Sequence, residues 1–144
     1  MLVDLPLNRA NIVASLKHVY DFERLTARIA SMRANGKDMV ALKTTLHELP
    51  AIKDELKHID APLLNEIFSS LDDFSSLEEL IENSIVDEPP FTITDGDLIK
   101  YGYSTELDNL KLSIKDAKAW ITGLEAKEKE RTGIKNLKVG FNKV

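Results

Sequence analysis

The sequence predicts a mainly α-helical bundle with a long C-terminal helix and a small β-hairpin. Apolar residues recur at spacings of three and four over most of the 144 residues, which is the period of an amphipathic helix. The exception follows Asp87-Glu88-Pro89-Pro90, where apolar and polar residues alternate as in a strand. With 43% hydrophobic residues and no cysteine, the chain can bury one core but cannot form a disulfide or a thiolate metal site.

The first predicted helix covers residues 8–34. Its apolar residues follow the helical period, and Arg24 and Arg28 lie four apart on one face. That spacing suits ion pairs along the helix or to a neighbouring helix. We expect Asn35-Gly36 to end the helix, because both residues tolerate the left-handed conformation found after a last turn.

Three more helices are expected before residue 86, joined by short connections. The helix over residues 38–48 is expected to end before Pro50, because proline has no amide hydrogen to donate within a helix. Pro50 is then either a break or the first turn of a short helix that contains Ile52 and Leu56. Pro62 suits the first turn of the next helix. Ser76 followed by Glu79 has the pattern of a capping box, which predicts the start of the last one.

A hairpin is predicted over residues 91–101. Phe91 to Thr94 alternate in polarity and are rich in strand formers, and Leu98 to Tyr101 continue after a gap. Asp95-Gly96 between them is a common two-residue hairpin turn.

The long helix is predicted over residues 105–131, about 40 Å at 1.5 Å per residue. Such a stiff helix can act as a strut between distant parts of a protein. Residues 137–141 alternate like a strand, so we divide the chain into a helical domain, 1–134, and a first strand of a missing domain, 135–144. We expect a fragment of a longer protein, and a natural C-terminus is the alternative. The apolar seam of the long helix consists of Leu107, Leu110, Ile114, Ala117, Ile121 and Leu124.

Charge is divided unevenly along the chain. Residues 1–110 hold 10 basic and 20 acidic residues, whereas residues 111–144 hold 9 basic and 4 acidic ones. The basic end would attract phosphate and the acidic part would repel it. Lys135, Lys138 and Lys143 in this end are therefore candidates for proximity to phosphate, although a solvated helix end with spare lysines would have the same composition.

Residues for catalysis, cofactor binding or metal binding are not apparent. The six glycines are scattered, so no phosphate-binding loop is present. The three histidines, His18, His47 and His58, lack other ligands at metal-binding spacing. We expect Trp120, one residue from the seam, to pack against a neighbouring helix.

Four separated motifs carry a resemblance to the MutS family of bacterial DNA mismatch-repair proteins. They occur in the family's order, and the resemblance extends over about residues 15–144. The motifs are 19–29 (VYDFERLTARI); 37–46 (KDMVALKTTL) followed by Leu49-Pro50; Thr94-Asp95-Gly96 with Ile99, Gly102 and Glu106-Leu107-Asp108; and 125–134 (EAKEKERTGI) followed by 137–144 (LKVGFNKV).

The resemblance implies a lever segment that links an ATPase domain to a DNA clamp in a cytoplasmic, nucleoid-associated protein. In the full-length family member it implies ATP and Mg²⁺ as cofactors, mismatched duplex DNA as ligand, a homodimer, and a MutL-type repair partner. Neither the family's Phe-x-Glu mismatch reader nor its phosphate loop is present, so we expect no enzymatic activity from this segment alone. The alternative is a free-standing helical adaptor that binds partner proteins through the seam.

Overall fold

The computed structural model describes residues 2–140, which are mainly helical. A short 3₁₀ helix, Ile93–Asp95, precedes the last α-helix. No helix within residues 2–140 is both long and apolar enough to cross a membrane. The α-helices are α1 (Pro6–Leu16), α2 (Phe22–Ala30), α3 (Gly36–Leu56), α4 (Pro62–Ser70), α5 (Ser75–Ser84) and α6 (Thr105–Thr132).

The chain forms two compact units, which divide between Lys100 and Tyr101. The first contains α1 to α5, and the second contains α6 and the residues that follow it. The predicted boundary at residue 134 separates a helical domain from a further domain, so it is a different kind of boundary, and it stays a prediction.

Helix α3 organises the first unit, because α1, α2, α4 and α5 all pack against it. It continues through Pro50, so the predicted interruption is wrong. Ile52 and Leu56, beyond the proline, are buried. Packing of this last part of the helix offsets the one backbone hydrogen bond that proline removes.

The predicted helix 8–34 is divided into α1 and α2 at residues 17–21. Asp21 caps α2, since its carboxylate accepts the backbone N–H of Arg24 at 3.0 Å. Helix α1 contacts α3 through polar groups. The side-chain N–H groups of Asn8 and Asn11 donate to the carboxylate of Glu55 at 2.8 and 2.7 Å.

The core of the first unit lies where α2 and α5 meet α3. Leu25 of α2 has no exposed surface, and it clusters with the buried Leu42 and Leu46 of α3 and Ile81 of α5. The period-3.6 apolar residues predicted from the sequence therefore form the packed faces of these three helices.

The predicted hairpin over 91–101 is not formed. Residues 93–95 adopt the 3₁₀ helix, and Ile99 makes an isolated antiparallel bridge to Ile85, directly after α5. Two backbone hydrogen bonds flank the bridge, from Val86 N–H to the Leu98 carbonyl at 3.0 Å and from Lys100 N–H to the Ser84 carbonyl at 2.9 Å. The second half of the predicted hairpin thus pairs with a segment earlier in the chain.

Helix α6 has 28 residues and is about 42 Å long. Ser104 caps its start by accepting the N–H of Leu107, and Gly133 ends it in the left-handed conformation at φ +69°. Residues 135–140 form a turn and irregular backbone rather than the predicted strand, because no paired strand is available to them in the described residues. The remainder of the predicted strand, 141–144, lies outside the described residues.

Candidate functional site

Two arginines of α2, Arg24 and Arg28, converge on one buried carboxylate, Asp38, in the first turn of α3. Arg28 Nε donates to Asp38 Oδ2 at 2.9 Å, and Arg24 lies 3.9 Å from the other carboxylate oxygen. The predicted ion pairing of these arginines is therefore confirmed, with a partner on the next helix. Their role in this structure is to fix α2 against α3.

Asp38 also forms a reciprocal capping box with Asn35. The Asn35 side chain accepts the Asp38 N–H at 3.0 Å, and Asp38 accepts the Asn35 N–H at 2.9 Å. Asn35 therefore begins a helix, where we predicted that it would end one. Burial raises the pKa of Asp38, but the hydrogen bonds from Asn35 and Arg28 outweigh burial and leave this pKa below its ordinary value.

A four-charge cluster connects α3, α5 and the segment after α5. Lys43 Nζ lies 2.6 Å from Glu82 and 3.1 Å from Asp87, and Lys100 Nζ lies 2.9 and 3.6 Å from the same carboxylates. Hydrogen bonds from Lys43 and Lys100 lower the pKa of Glu82 to about 2. The cluster keeps residues 86–100 attached to the helices.

An apolar cleft of about 490 Å³ opens on the first unit. Met39, Leu42 and Leu46 of α3 line it together with residues of α2 and α5. Phe22 and Leu80, which also line the cleft, are exposed. Its lining contains no acid, base or nucleophile suited to catalysis beyond hydroxyl groups, so it can bind only by apolar contact.

The apolar seam of α6 is largely exposed. Leu110 and Ile114 at its centre are each 56% exposed, whereas Leu107, Ile121 and Leu124 are half-buried. Trp120 is 68% exposed, so our expectation that it packs on a neighbouring helix is wrong for this chain. The seam is available for contact with another apolar surface.

The basic end of the chain is solvent-exposed but partly neutralised. Lys135 and Lys138 are exposed, and Lys143 lies outside the described residues. Glu125 pairs with Lys129 at 2.5 Å and accepts the N–H of Val139 at 3.3 Å, so the chain turns back along α6 after Gly133. Lys135 and Lys138 therefore lie close to the end of the long helix.

Two of the three histidines, His18 and His47, lie in surface pairs with glutamates. His47 Nδ1 is 2.7 Å from Glu78, and His18 Nδ1 is 3.4 Å from Glu48. Among residues 2–140 there is no group of three or more potential ligands arranged to hold a metal ion.

The residues described do not fit a nucleotide phosphate. Gly36 is the first residue of α3, but Pro89 and Leu98 cover it so closely that an added Cβ would lie 2.5 and 2.6 Å from them. The carboxylate of Asp38 also lies at this helix start, where it would repel a phosphate. The Asn35-x-x-Asp38 spacing was the sequence signal for this cap, and we missed it.

Comparison with known proteins assigns the chain to a family. A family model described as MutS domain III matches residues 1–138. The DNA mismatch repair protein MutS of Desulforamulus reducens is 46% identical over 143 residues, covering 99% of this chain and 16% of that protein. The proteins of the same name from Clostridium tetani and Methanosarcina barkeri are 45% and 44% identical, covering 90% and 96% of this chain and 15% and 16% of their own lengths.

The chain therefore spans about 16% of the length of the curated relatives it matches. The family model covers nearly all of the described residues, including both compact units. The resemblance predicted from the four motifs is confirmed: this chain belongs to the MutS domain III family.

Proposed function

We propose that this chain is the lever segment of a MutS-type mismatch-recognition protein and acts in DNA mismatch repair. The observation that carries the proposal is α6, a single helix about 42 Å long in a chain that matches MutS domain III. A helix of this length can transmit a displacement from one end to the other, which a lever between an ATPase domain and a DNA clamp requires.

The chemistry of the described residues supports a mechanical role rather than a catalytic one. The buried or clustered charged groups of the first unit, such as Asp38 and Glu82, join helices to one another. ATP and Mg²⁺ would then belong to another part of the full-length protein, where hydrolysis would supply the displacement. Dimerisation and a MutL-type partner would likewise concern the full-length protein.

The basic end of the chain is proposed to lie close to duplex DNA, with Lys135, Lys138 and Lys143 near phosphates. These contacts would contribute affinity without reading sequence, because a lysine contacts a phosphate as a point charge. Each phosphate contact contributes about 0.9 to the slope of log affinity against log salt for duplex DNA.

The test is the triple variant K135A/K138A/K143A in a full-length protein of this family, assayed for duplex binding over a range of salt concentrations. The slope should decrease by up to about 2.7 if all three lysines contact phosphates. The matched control is R9A/K17A/K57A, which removes three exposed basic residues from the first unit and should leave the slope unchanged. An unchanged slope in the lysine variant would show that these lysines do not contact DNA phosphates.

A second candidate function, a free-standing adaptor for partner proteins, is favoured by the exposure of Leu110 and Ile114. Sedimentation of the isolated chain with candidate partners would distinguish the two. A discrete complex with an unrelated protein, lost on L110E/I114E substitution, would favour the adaptor. The lever proposal predicts no such complex.

A further inference from the structure

Asp108 is the one buried residue of α6, with 7% of its surface exposed. Its Oδ2 accepts the backbone N–H of Gly102 at 2.8 Å. Its Oδ1 is buried and accepts no hydrogen bond from residues 2–140. A buried carboxylate oxygen without a donor destabilises a fold, so its presence at this position needs a compensating reason.

Gly102 lies two residues after the end of the first compact unit. Its φ of +88° is a conformation that glycine adopts at little cost. Nothing lies within 4 Å of a Cβ built there. A side chain would therefore fit in the space, and it is the backbone conformation that favours glycine at this position. The Asp108 carboxylate thus holds a turn that the backbone alone would leave free to change.

A second contact attaches the same turn to α6. Ser104 Oγ accepts the N–H of Leu107 at 3.3 Å, which caps the helix. Asp108 reaches further back than this cap, because it bonds a residue two positions before Ser104. The two contacts together join residues 102–104 to the first turns of the helix.

We propose that Asp108 is a positioning residue that makes the turn at Gly102 and the start of α6 one rigid piece. The proposal rests on the lever function, because a lever transmits a displacement only if its end is held rigidly. A carboxylate that merely favours the positive end of the helix would stabilise α6 without fixing this turn.

The chain contains no cysteine, so spin labels can be attached to introduced cysteines without further changes. One label replaces Tyr101, directly before Gly102, and the other replaces Lys118 of α6, both exposed. The width of the distance distribution between the labels is measured by pulsed electron paramagnetic resonance in the isolated chain. Asp108→Ala should broaden it at least about twofold, because the turn at Gly102 is released.

Asp108→Asn keeps an oxygen that can accept the Gly102 N–H, and it should restore the original width. Asp116→Ala removes an exposed carboxylate from the same helix and is the matched control, with no broadening expected. An unchanged width in Asp108→Ala, or equal broadening in Asp108→Asn, would overturn the proposal.

Circular dichroism of each variant reports whether α6 is retained. If Asp108→Ala loses helix, Gly102→Ala decides instead, because alanine disfavours the φ of +88° and disrupts the turn from its other side. Broadening with intact helix supports the proposal, and an unchanged width refutes it. The measurement uses neither DNA nor nucleotide, so failure of the mismatch-repair role would not alter its outcome.

Discussion

Replacing Gly36 by alanine should destabilise the first unit, although the same change in most helices is stabilising. Gly36 begins α3, and an added Cβ would lie 2.5 Å from Pro89 Cβ and 2.6 Å from Leu98 Cδ1. The leucine methyl can rotate away, but the proline ring cannot. Residues 86–100 would therefore have to move by about 1 Å to restore an ordinary carbon–carbon contact.

The magnitude follows from two opposing terms. Overpacking of this kind typically costs about 1–3 kcal/mol, and the helix propensity of alanine returns at most about 1 kcal/mol. We expect a net loss of about 1–2 kcal/mol, which lowers the melting temperature by roughly 3–6 °C in a chain of this size. Gly123 of α6 has nothing within 4 Å of its Cβ position, so the control Gly123→Ala should gain about 0.5–1 kcal/mol.

The assay is urea unfolding followed by circular dichroism, with both variants compared with the parent chain. Opposite signs for the two glycines are expected. Equal or greater stability of Gly36→Ala would refute the close packing of Pro89 on the start of α3, and with it our account of how residues 86–100 are held.

Three further predictions concern the core, the charge cluster and activity. Leu25→Ala should destabilise the first unit by about 2–5 kcal/mol in urea unfolding, because Leu25 is 0% exposed and its loss leaves a cavity; a loss below about 1 kcal/mol would contradict its place in the core. Glu82 stabilises the fold when ionised, and its pKa falls from 4.5 to about 2 on folding, so its contribution is complete above about pH 4.5 and is lost as the pH drops towards 2. Melting temperatures measured across this range should show a smaller pH dependence in Glu82→Gln than in the control Glu79→Gln, and identical profiles would count against the cluster. The purified chain should neither hydrolyse ATP nor prefer mismatched over matched duplex in binding assays, and turnover above a no-protein control would refute the mechanical role.

The helical class and the positions of most helices could be predicted, because apolar periodicity reports directly which residues face the core. Leu25, Leu42 and Ile81 all follow that period and are buried. Local signals were less reliable. Asn35-Gly36 has the composition of a helix end, yet Asp38 three residues later converts it into a cap.

Features that depend on distant partners could not be predicted. The Asp95-Gly96 turn predicted a local hairpin, but Ile99 pairs with Ile85, fourteen residues earlier in the chain. Pro50 predicted a break, but the burial of Ile52 and Leu56 keeps the helix continuous. The hydrogen bond between Asp108 and Gly102 likewise depends on the shape of the turn before α6, which the local sequence does not report.

The central claim is that α6 behaves as a straight rod. Spin labels at Asn109 and Glu130, both exposed and 21 residues apart in the helix, measure this directly in the isolated chain. A continuous helix predicts one narrow distribution of backbone separation centred near 32 Å, at 1.5 Å per residue, and Gly123→Pro should broaden and shorten it. A broad or clearly shorter distribution in the parent chain would contradict the claim.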